Sequence, residues 1–146
     1  MLRRAGLQAL RALLELAREP GAWRSVNAIA AAQELPAPML EQLLIQLRRA
    51  GLLEARRGRL GGYRLSHPAA AITVAEVLEA VGAGVDLTAG LQEAASGAEQ
   101  RVLLGMSRRL QSALERELAT LSLEELLFDL SSWQESLNND GGVMLG

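Results

Sequence analysis

The chain has 146 residues and a formal net charge of −2, with no cysteine and a single histidine, His67. Hydrophobic residues make up 49% of the sequence, which excludes a disordered chain, and the length suits one domain, or a small domain with an appendage. The absence of cysteine excludes disulfides, a thiol nucleophile and cysteine-held metal clusters, and one histidine cannot form a multi-histidine site, so we expect no metal and no cofactor.

The first 50 residues carry three helical patterns with clear stop signals. The first helix is predicted from apolar residues at helical spacing that stop before Glu19-Pro20-Gly21, namely Leu7, Leu10, Leu14 and Ala17. Ser25 is the predicted N-cap of a short second helix that ends before Pro36. The third helix is predicted to begin at Ala37-Pro38 and to close at Ala50-Gly51, with an apolar stripe of Leu40, Leu43, Leu44 and Leu47.

Two short strands and a fourth helix are predicted next. The strands cover Leu52–Arg56 and Tyr63–Ser66, and the glycine-rich residues between them predict a hairpin turn. A capping box at Thr73–Glu76 opens the fourth helix. Residues 82–100 are rich in glycine and weakly patterned, which predicts a short helix flanked by loops.

A long helix over Ala98–Thr120 dominates the last third of the chain. Its apolar stripe is spaced by three and four residues and consists of Leu103, Met106, Leu110, Leu114, Leu118 and Leu121. A second capping box, Ser122–Glu125, starts a short last helix, and residues 138–146 are predicted to form a flexible tail. Trp23 and Trp133 are expected to be packing residues.

The charge is distributed unevenly along the chain. Residues 1–64 hold eleven arginines and five glutamates, a formal +6, whereas residues 65–146 hold four arginines and twelve acidic residues, a formal −8. A basic half often accompanies nucleic-acid binding, although arginine and glutamate also coat ordinary helix surfaces. Charge alone leaves both interpretations open.

Three helices followed by a hairpin is the element order of a winged helix-turn-helix. In that fold the third helix enters the major groove and the wing follows the backbone or the minor groove. Glutamine can pair with adenine, glutamate can accept from cytosine, and an aliphatic side chain can pack on the thymine methyl group. Arginine on a glycine-rich wing (Arg56, Arg57 and Arg59) can enter a narrow minor groove. The predicted DNA-binding residues are Pro38, Met39, Glu41, Gln42, Ile45 and Arg49 on the helix, and Arg57, Arg59, Gly61 and Gly62 on the wing. The alternative is a hairpin that only caps the core.

Several segments resemble one known family. They are residues 9–17 (ALRALLELA), 39–52 (MLEQLLIQLRRAGL), 57–65 (RGRLGGYRL) and 72–77 (ITVAEV). They are similar to the IscR-type family of bacterial transcription regulators, also called the Rrf-two family, over about residues 3–82. The resemblance implies a homodimer that reads a pseudo-palindromic operator in double-stranded DNA. It also implies a dimer interface on the long helix, at Leu103, Met106, Leu110, Leu114 and Leu118, whereas packing of this stripe within the chain is the alternative.

The chain departs from this family in its presumed sensor segment and on the third helix. Many members hold an iron–sulfur cluster through three cysteines between the winged domain and the long helix. Here that segment contains no cysteine, and Asp86, Glu93 and Glu99 are expected to be solvated acids, so we expect no cysteine-ligated cluster. Pro38 and Met39 stand where members commonly have a small hydroxyl residue and a tyrosine, which predicts an altered operator.

The overall prediction is a mainly α fold in three parts. A winged helix-turn-helix domain covers residues 1–82, a sensor-like loop and dimerisation helices cover 83–137, and the tail follows. No enzyme is expected, because no nucleophile–base pair can be assembled. No membrane contact and a cytoplasmic location are expected, because no long apolar run and no targeting segment is recognised. An alternative function is a cluster-free interaction module, controlled by a protein or small-molecule effector, with weak DNA binding.

Overall fold

The computed structural model describes residues 1–91 and 97–145, with side chains described through residue 140. Its elements in chain order are α1 (Arg4–Ala17), α2 (Val26–Gln33), α3 (Ala37–Arg49), β1 (Leu53–Arg56), β2 (Gly62–Leu65), a 3-10 turn (Ala69–Ala71), α4 (Val74–Ala80), α5 (Ala98–Thr120) and α6 (Leu123–Leu145). In the segment 82–100, where a short helix flanked by loops is predicted, the described residues 82–91 contain turns and no helix, and residues 98–100 belong to α5. Glu93 lies outside the described residues.

Three of the helices begin at the capping residues that the sequence predicts. The hydroxyl groups of Ser25, Thr73 and Ser122 each accept a hydrogen bond from the backbone N–H three residues further on, at 3.1, 3.2 and 3.2 Å. Each bond satisfies a first-turn N–H that has no partner inside the helix. The predicted starts of α2, α4 and α6 are therefore confirmed.

The core is built mainly from α1, α3 and α4. Its largest fully buried side chains are Leu13, Ile29, Leu40, Leu44, Leu47, Ile72, Val77, Leu78 and Leu123. Burying a leucine of this kind contributes about 1.5–3 kcal/mol. The predicted leucine stripe of α3 faces this core, so the opposite side of α3 remains in solvent.

The two strands form an antiparallel hairpin directly after α3. Leu53 pairs with Leu65 at one end and Arg56 with Gly62 at the other. Glu54 and Arg64 lie opposite each other, with 2.8 Å between carboxylate oxygen and Arg64 Nε. The predicted strands are confirmed. β1 is one residue shorter than predicted, and β2 is shifted by one residue toward the N-terminus.

The corner between α5 and α6 is attached to the winged domain. The Val74 N–H donates to the Leu121 carbonyl at 2.9 Å, and the Leu123 N–H donates to the Ile72 carbonyl at 2.8 Å. Leu123 itself is fully buried. Since α5 packs on α4 and α6 packs on α1, the C-terminal helices contribute to the same core.

The last helix is longer than the sequence predicts. The prediction of a short last helix is wrong, because α6 continues to Leu145, and the flexibility of residues 138–146 stays a prediction. A nucleated helix gains one hydrogen bond for every residue added, which carries it through weak helix formers such as Asn139. Trp133 on this helix is 67% exposed, so its predicted packing role is also wrong within the chain. None of the described helices is long and apolar enough to cross a membrane.

Candidate nucleic-acid interface

The solvent side of α3 carries the residues that the sequence predicts to read bases. Because the leucine stripe occupies the opposite side, the structure leaves these side chains exposed or half-exposed: Pro38, Glu41, Gln42, Ile45 and Arg49. Met39 differs from them, because it is half-buried and packs against the core. Met39 can therefore present only part of its side chain to a ligand.

The arginines of the wing fall into two groups. Arg57 and Arg59 at the tip are exposed, and neither has a hydrogen-bond or ion-pair partner among the described residues. Arg56 is engaged within the chain, with its guanidinium 4.7 Å from the Trp23 ring centroid and Nη2 donating to the Leu60 carbonyl at 2.7 Å. Arg56 therefore differs from the two tip arginines in having contacts within the chain, and the DNA contacts of the wing stay a prediction.

Gly61 and Gly62 have a backbone role in the wing. A Cβ atom on Gly61 would lie 2.0 Å from the Arg56 carbonyl oxygen, and one on Gly62 would lie 2.2 Å from the Arg24 carbonyl oxygen. Gly62 also has a φ of +143°, which side chains rarely tolerate. Both glycines let backbone segments approach closely, so they determine where the tip arginines stand.

A buried carboxylate connects the first two helices to the loop between them. Glu15 is only 7% exposed, and Gln33 Nε2 donates to its Oε2 at 2.7 Å. Arg24 Nη2 lies 3.4 Å from Glu15 Oε1, and Arg18 Nε lies 3.6 Å from Oε2. A buried charge is retained only when it is paired and hydrogen-bonded, as it is here. Sequence reasoning missed this cluster, because Arg24 and Gln33 lie 9 and 18 residues from Glu15 along the chain.

The apolar stripe of α5 divides into an exposed half and a packed half. Leu103, Met106 and Leu110 are 45%, 51% and 51% exposed. Leu114 and Leu118 are half-buried, and Leu118 packs against the core of its own chain. The alternative of intrachain packing thus applies to Leu118, while the first half of α5 presents apolar surface to solvent.

The acids predicted to be solvated are exposed where the structure describes them. Asp86 and Glu99 are both exposed. Asp86 Oδ1 accepts hydrogen bonds from the Thr88 hydroxyl at 2.6 Å and the Thr88 N–H at 2.8 Å, and these bonds lower the pKa of the carboxyl group. In the described part of the chain, no three histidine or acidic side chains converge into a metal-binding group.

A core-facing third helix with a polar outer side, followed by an arginine-tipped antiparallel hairpin, defines the winged helix-turn-helix class of DNA-binding folds. Within that class, the Rrf2 family, described as iron-dependent transcriptional regulators, matches residues 2–129. The chain belongs to the Rrf2 family, and the resemblance drawn from its sequence is confirmed.

Two relatives illustrate the match in sequence. A protein of Synechocystis sp. whose name describes an HTH-type transcriptional regulator is 38% identical over 127 residues, which is 86% of each chain. The HTH-type transcriptional regulator IscR of Cereibacter sphaeroides is 44% identical over 79 residues, 52% of this chain and 51% of that protein.

Solved structures of transcription regulators share the fold. CymR, the global cysteine regulator of B. subtilis, superposes with a TM-score of 0.72 at 29% identity, covering 87% of this chain and 95% of that one. T. potens IscR gives a TM-score of 0.72 at 27% identity, covering 92% and 90%. The chain is therefore a mainly α member of the Rrf2 family of transcriptional regulators.

Proposed function

We propose that this protein is a homodimer that binds a specific, pseudo-palindromic DNA operator. The observation that carries the proposal is the pairing of a free polar side of α3 with two tip arginines, Arg57 and Arg59, that have no partner among the described residues. A helix side available for base edges and cations available for the DNA backbone are the two components that sequence-specific binding needs.

On α3, three neighbouring side chains supply the chemistry of base recognition. Gln42 can form two hydrogen bonds with adenine, Glu41 can accept from the cytosine amino group, and Ile45 can pack against a thymine methyl group. All three lie on the exposed or half-exposed side of the helix. We expect α3 to provide the sequence preference, with Pro38, Met39 and Arg49 at the edges of the contact.

On the wing, Arg57 and Arg59 supply positive charge, and no described acidic side chain or carbonyl group of the chain occupies their guanidinium groups. The negative potential of a narrow, A·T-rich minor groove attracts arginine side chains. Gly61 and Gly62 act here through the shape of the hairpin, as described above. We expect the wing to prefer A·T-rich flanks beside the bases that α3 reads.

The exposed half of α5 supports the dimer. Val102 is 69% exposed and lies beside Leu103, Met106 and Leu110, so four apolar side chains stand in water on one helix. The same patch on a second copy would cover them in an isologous contact. Two winged domains related by a two-fold axis would then meet half-sites separated by about one helical turn of DNA or a multiple of it.

We further propose that regulation does not depend on a cysteine-ligated cluster. Iron–sulfur clusters are held by cysteine thiolates, and the donor set of this chain contains none. The described loop carboxylate nearest to α5, Asp86, is engaged with Thr88 instead. We expect operator binding that is unaffected by iron chelators.

A second candidate function is an interaction module controlled by a protein partner, with weak DNA binding. It is supported by Trp133 and Leu137, which are 67% and 63% exposed on the part of α6 that lies beyond the family match. Exposed aromatic and aliphatic side chains on one helix are typical of protein-binding surfaces.

The test is binding to DNA by protein purified without added metal. Selection of bound sequences from a random DNA pool should enrich a palindrome. Binding to random duplex DNA should weaken by orders of magnitude between low and physiological salt, because each phosphate contact releases counterions. No binding to any duplex at low salt would reject the regulator and favour the interaction module.

A further inference from the structure

Trp23 contacts both strands of the wing. The guanidinium carbon of Arg56, on β1, lies 4.7 Å from the centroid of the Trp23 ring, and that of Arg64, on β2, lies 4.2 Å from it. Both distances are within the range of cation–π attraction. One aromatic side chain from the loop between α1 and α2 therefore engages the two strands together.

The residue after Trp23 attaches the same loop to the wing and to α1. The Arg24 N–H donates to the Tyr63 carbonyl at 2.9 Å, and the Tyr63 N–H donates to the Arg24 carbonyl at 2.7 Å. On its other side, the Arg24 guanidinium approaches the buried Glu15 carboxylate at 3.4 Å. The loop is thereby fixed to the helical core while it holds β2.

The base of the hairpin packs on the helical core through buried Leu53 and half-buried Leu65, whereas the contacts with Trp23 and Arg24 lie further toward the tip. Its two strands are four residues each, and an isolated hairpin of this size is marginally stable in water. Residues 50–52 join it to α3, so the contact with Trp23 and Arg24 is a second attachment on the opposite strand. The close approach of Gly62 to the Arg24 carbonyl shows that the packing leaves no room for a side chain.

We propose that Trp23 is a positioning residue for DNA recognition, which fixes the orientation of the wing and thereby places Arg57 and Arg59 on the operator. Trp23 acts through Arg56 and Arg64, whose guanidinium groups lie over its ring from the two strands. The inference rests on the proposed DNA-binding function, because it assigns the role of Trp23 through the tip arginines.

The test is a double-mutant cycle between Trp23→Leu and Arg59→Ala, with operator and random duplex DNA as ligands. Leucine keeps an apolar side chain and removes the aromatic face. We expect Trp23→Leu to weaken operator binding by roughly fivefold to tenfold, while binding to random DNA is unchanged, because Arg56 keeps its hydrogen bond to Leu60 and Arg64 keeps its ion pair with Glu54. In the Trp23→Leu background, Arg59→Ala should cost less than half of its usual fold-loss, since the tip is no longer positioned. Trp23→Phe should restore most of the operator affinity, and Trp133→Phe is the matched control with no effect.

Each alternative outcome has a defined meaning. Independent, multiplicative losses for the two substitutions would overturn the positioning role and leave the proposed function standing. A loss that is equal on operator and random DNA, with a lowered thermal midpoint, would show that Trp23 only stabilises the fold. If Trp23→Phe does not restore operator affinity, the aromatic face is not what positions the wing, and the proposal is overturned. No effect of Arg59→Ala in the unmodified chain would overturn the role of the wing in the proposed function, and this inference with it.

Discussion

The side-chain amide of Gln111 on α5 forms two hydrogen bonds with the backbone of the loop after α4, one at Val85 and one at Leu87. Its Nε2 donates to the Val85 carbonyl at 2.9 Å, and its Oε1 accepts from the Leu87 N–H at 2.8 Å. Glu115, one turn further along α5, accepts from the same Nε2 at 3.0 Å. The loop after α4 is therefore fastened to the long helix by a side chain of that helix.

Gln111→Ala should loosen this loop. Two hydrogen bonds between neutral groups contribute about 1–2 kcal/mol together, so the free energy of unfolding should fall by that amount. Hydrogen exchange at the Leu87 amide should accelerate, which can be measured by mass spectrometry or NMR. Ser112→Ala, an exposed neighbour on α5, is the control. Unchanged protection of Leu87 in Gln111→Ala would contradict the assignment.

The Asp86–Thr88 turn in this loop should depend on pH. The Thr88 bonds lower the pKa of Asp86 below its ordinary value of 3.8, because they favour the carboxylate. The stabilisation from this group is fully present above pH 3.8 and is lost as the pH falls through the lowered pKa. The Thr88 amide resonance, followed by NMR, should shift below about pH 4. Asp86→Asn should abolish this titration, and a titration that persists in the variant would assign it to another group.

Gly62→Ala should destabilise the protein by roughly 2–4 kcal/mol, because the new methyl group meets the Arg24 carbonyl and the backbone has a positive φ. Urea denaturation at equal protein concentration measures this loss. Gly105→Ala is the matched control, since it lies within α5 with no atom near its added Cβ and should stabilise by about 0.5–1 kcal/mol. Equal stability of the two variants would argue against the tight contact between wing and loop.

Gln42→Ala should relax the sequence preference of the regulator at one or two bases, at a cost of about 1–3 kcal/mol on the preferred operator. Arg59→Ala should weaken binding most where the flanks are A·T-rich. Competition between operators with single-base changes separates the two effects, and Gln134→Ala on α6 is a control outside the proposed interface. Uniform losses on all sequences for both variants would contradict the assignment of roles.

Leu110→Glu should convert the proposed dimer into monomers, because it places a charge in the apolar patch that a second copy would cover. Operator affinity should fall by about 100-fold or more, since the two winged domains then bind independently. Sedimentation velocity reports the mass directly. Ser112→Glu adds the same charge to an exposed position of α5 outside the stripe. A Leu110→Glu protein that still sediments as a dimer would place the interface elsewhere.

The winged domain could be predicted from the sequence because its signals are local. The capping hydroxyl of Ser25, the leucine stripe of α3 and the glycine-rich turn each act within a few residues. The full length of α6 was not predicted, because a helix that has already formed extends through residues with low helix propensity. The helix propensity of single residues does not show this.

Which side chains are exposed and which are engaged within the chain could not be predicted, because this depends on contacts between residues far apart in the sequence. Arg56 and Arg57 are adjacent and identical in type, yet only Arg56 lies over the ring of Trp23. The leucines of α5 likewise form one continuous pattern, and only packing against the rest of the chain distinguishes half-buried Leu118 from exposed Leu110. Spacing identifies a side of a helix and does not identify the element that covers it.

The backbone bridge between Thr73 and Ser122 attaches the C-terminal end of α5 to the winged domain, while the N-terminal end of α5 lies a full helix length away. The Leu121 carbonyl at the end of α5 accepts a hydrogen bond from the Val74 N–H at the start of α4. A change in the angle between α5 and α4 therefore moves the N-terminal end of α5 relative to the winged domain. The 23 residues of α5 span about 34 Å, so a tilt of about 5° displaces the far end by about 3 Å. That displacement is close to the rise of one base pair in DNA, about 3.4 Å. In the proposed dimer, the distance between the two winged domains would therefore follow the angle between α5 and α4.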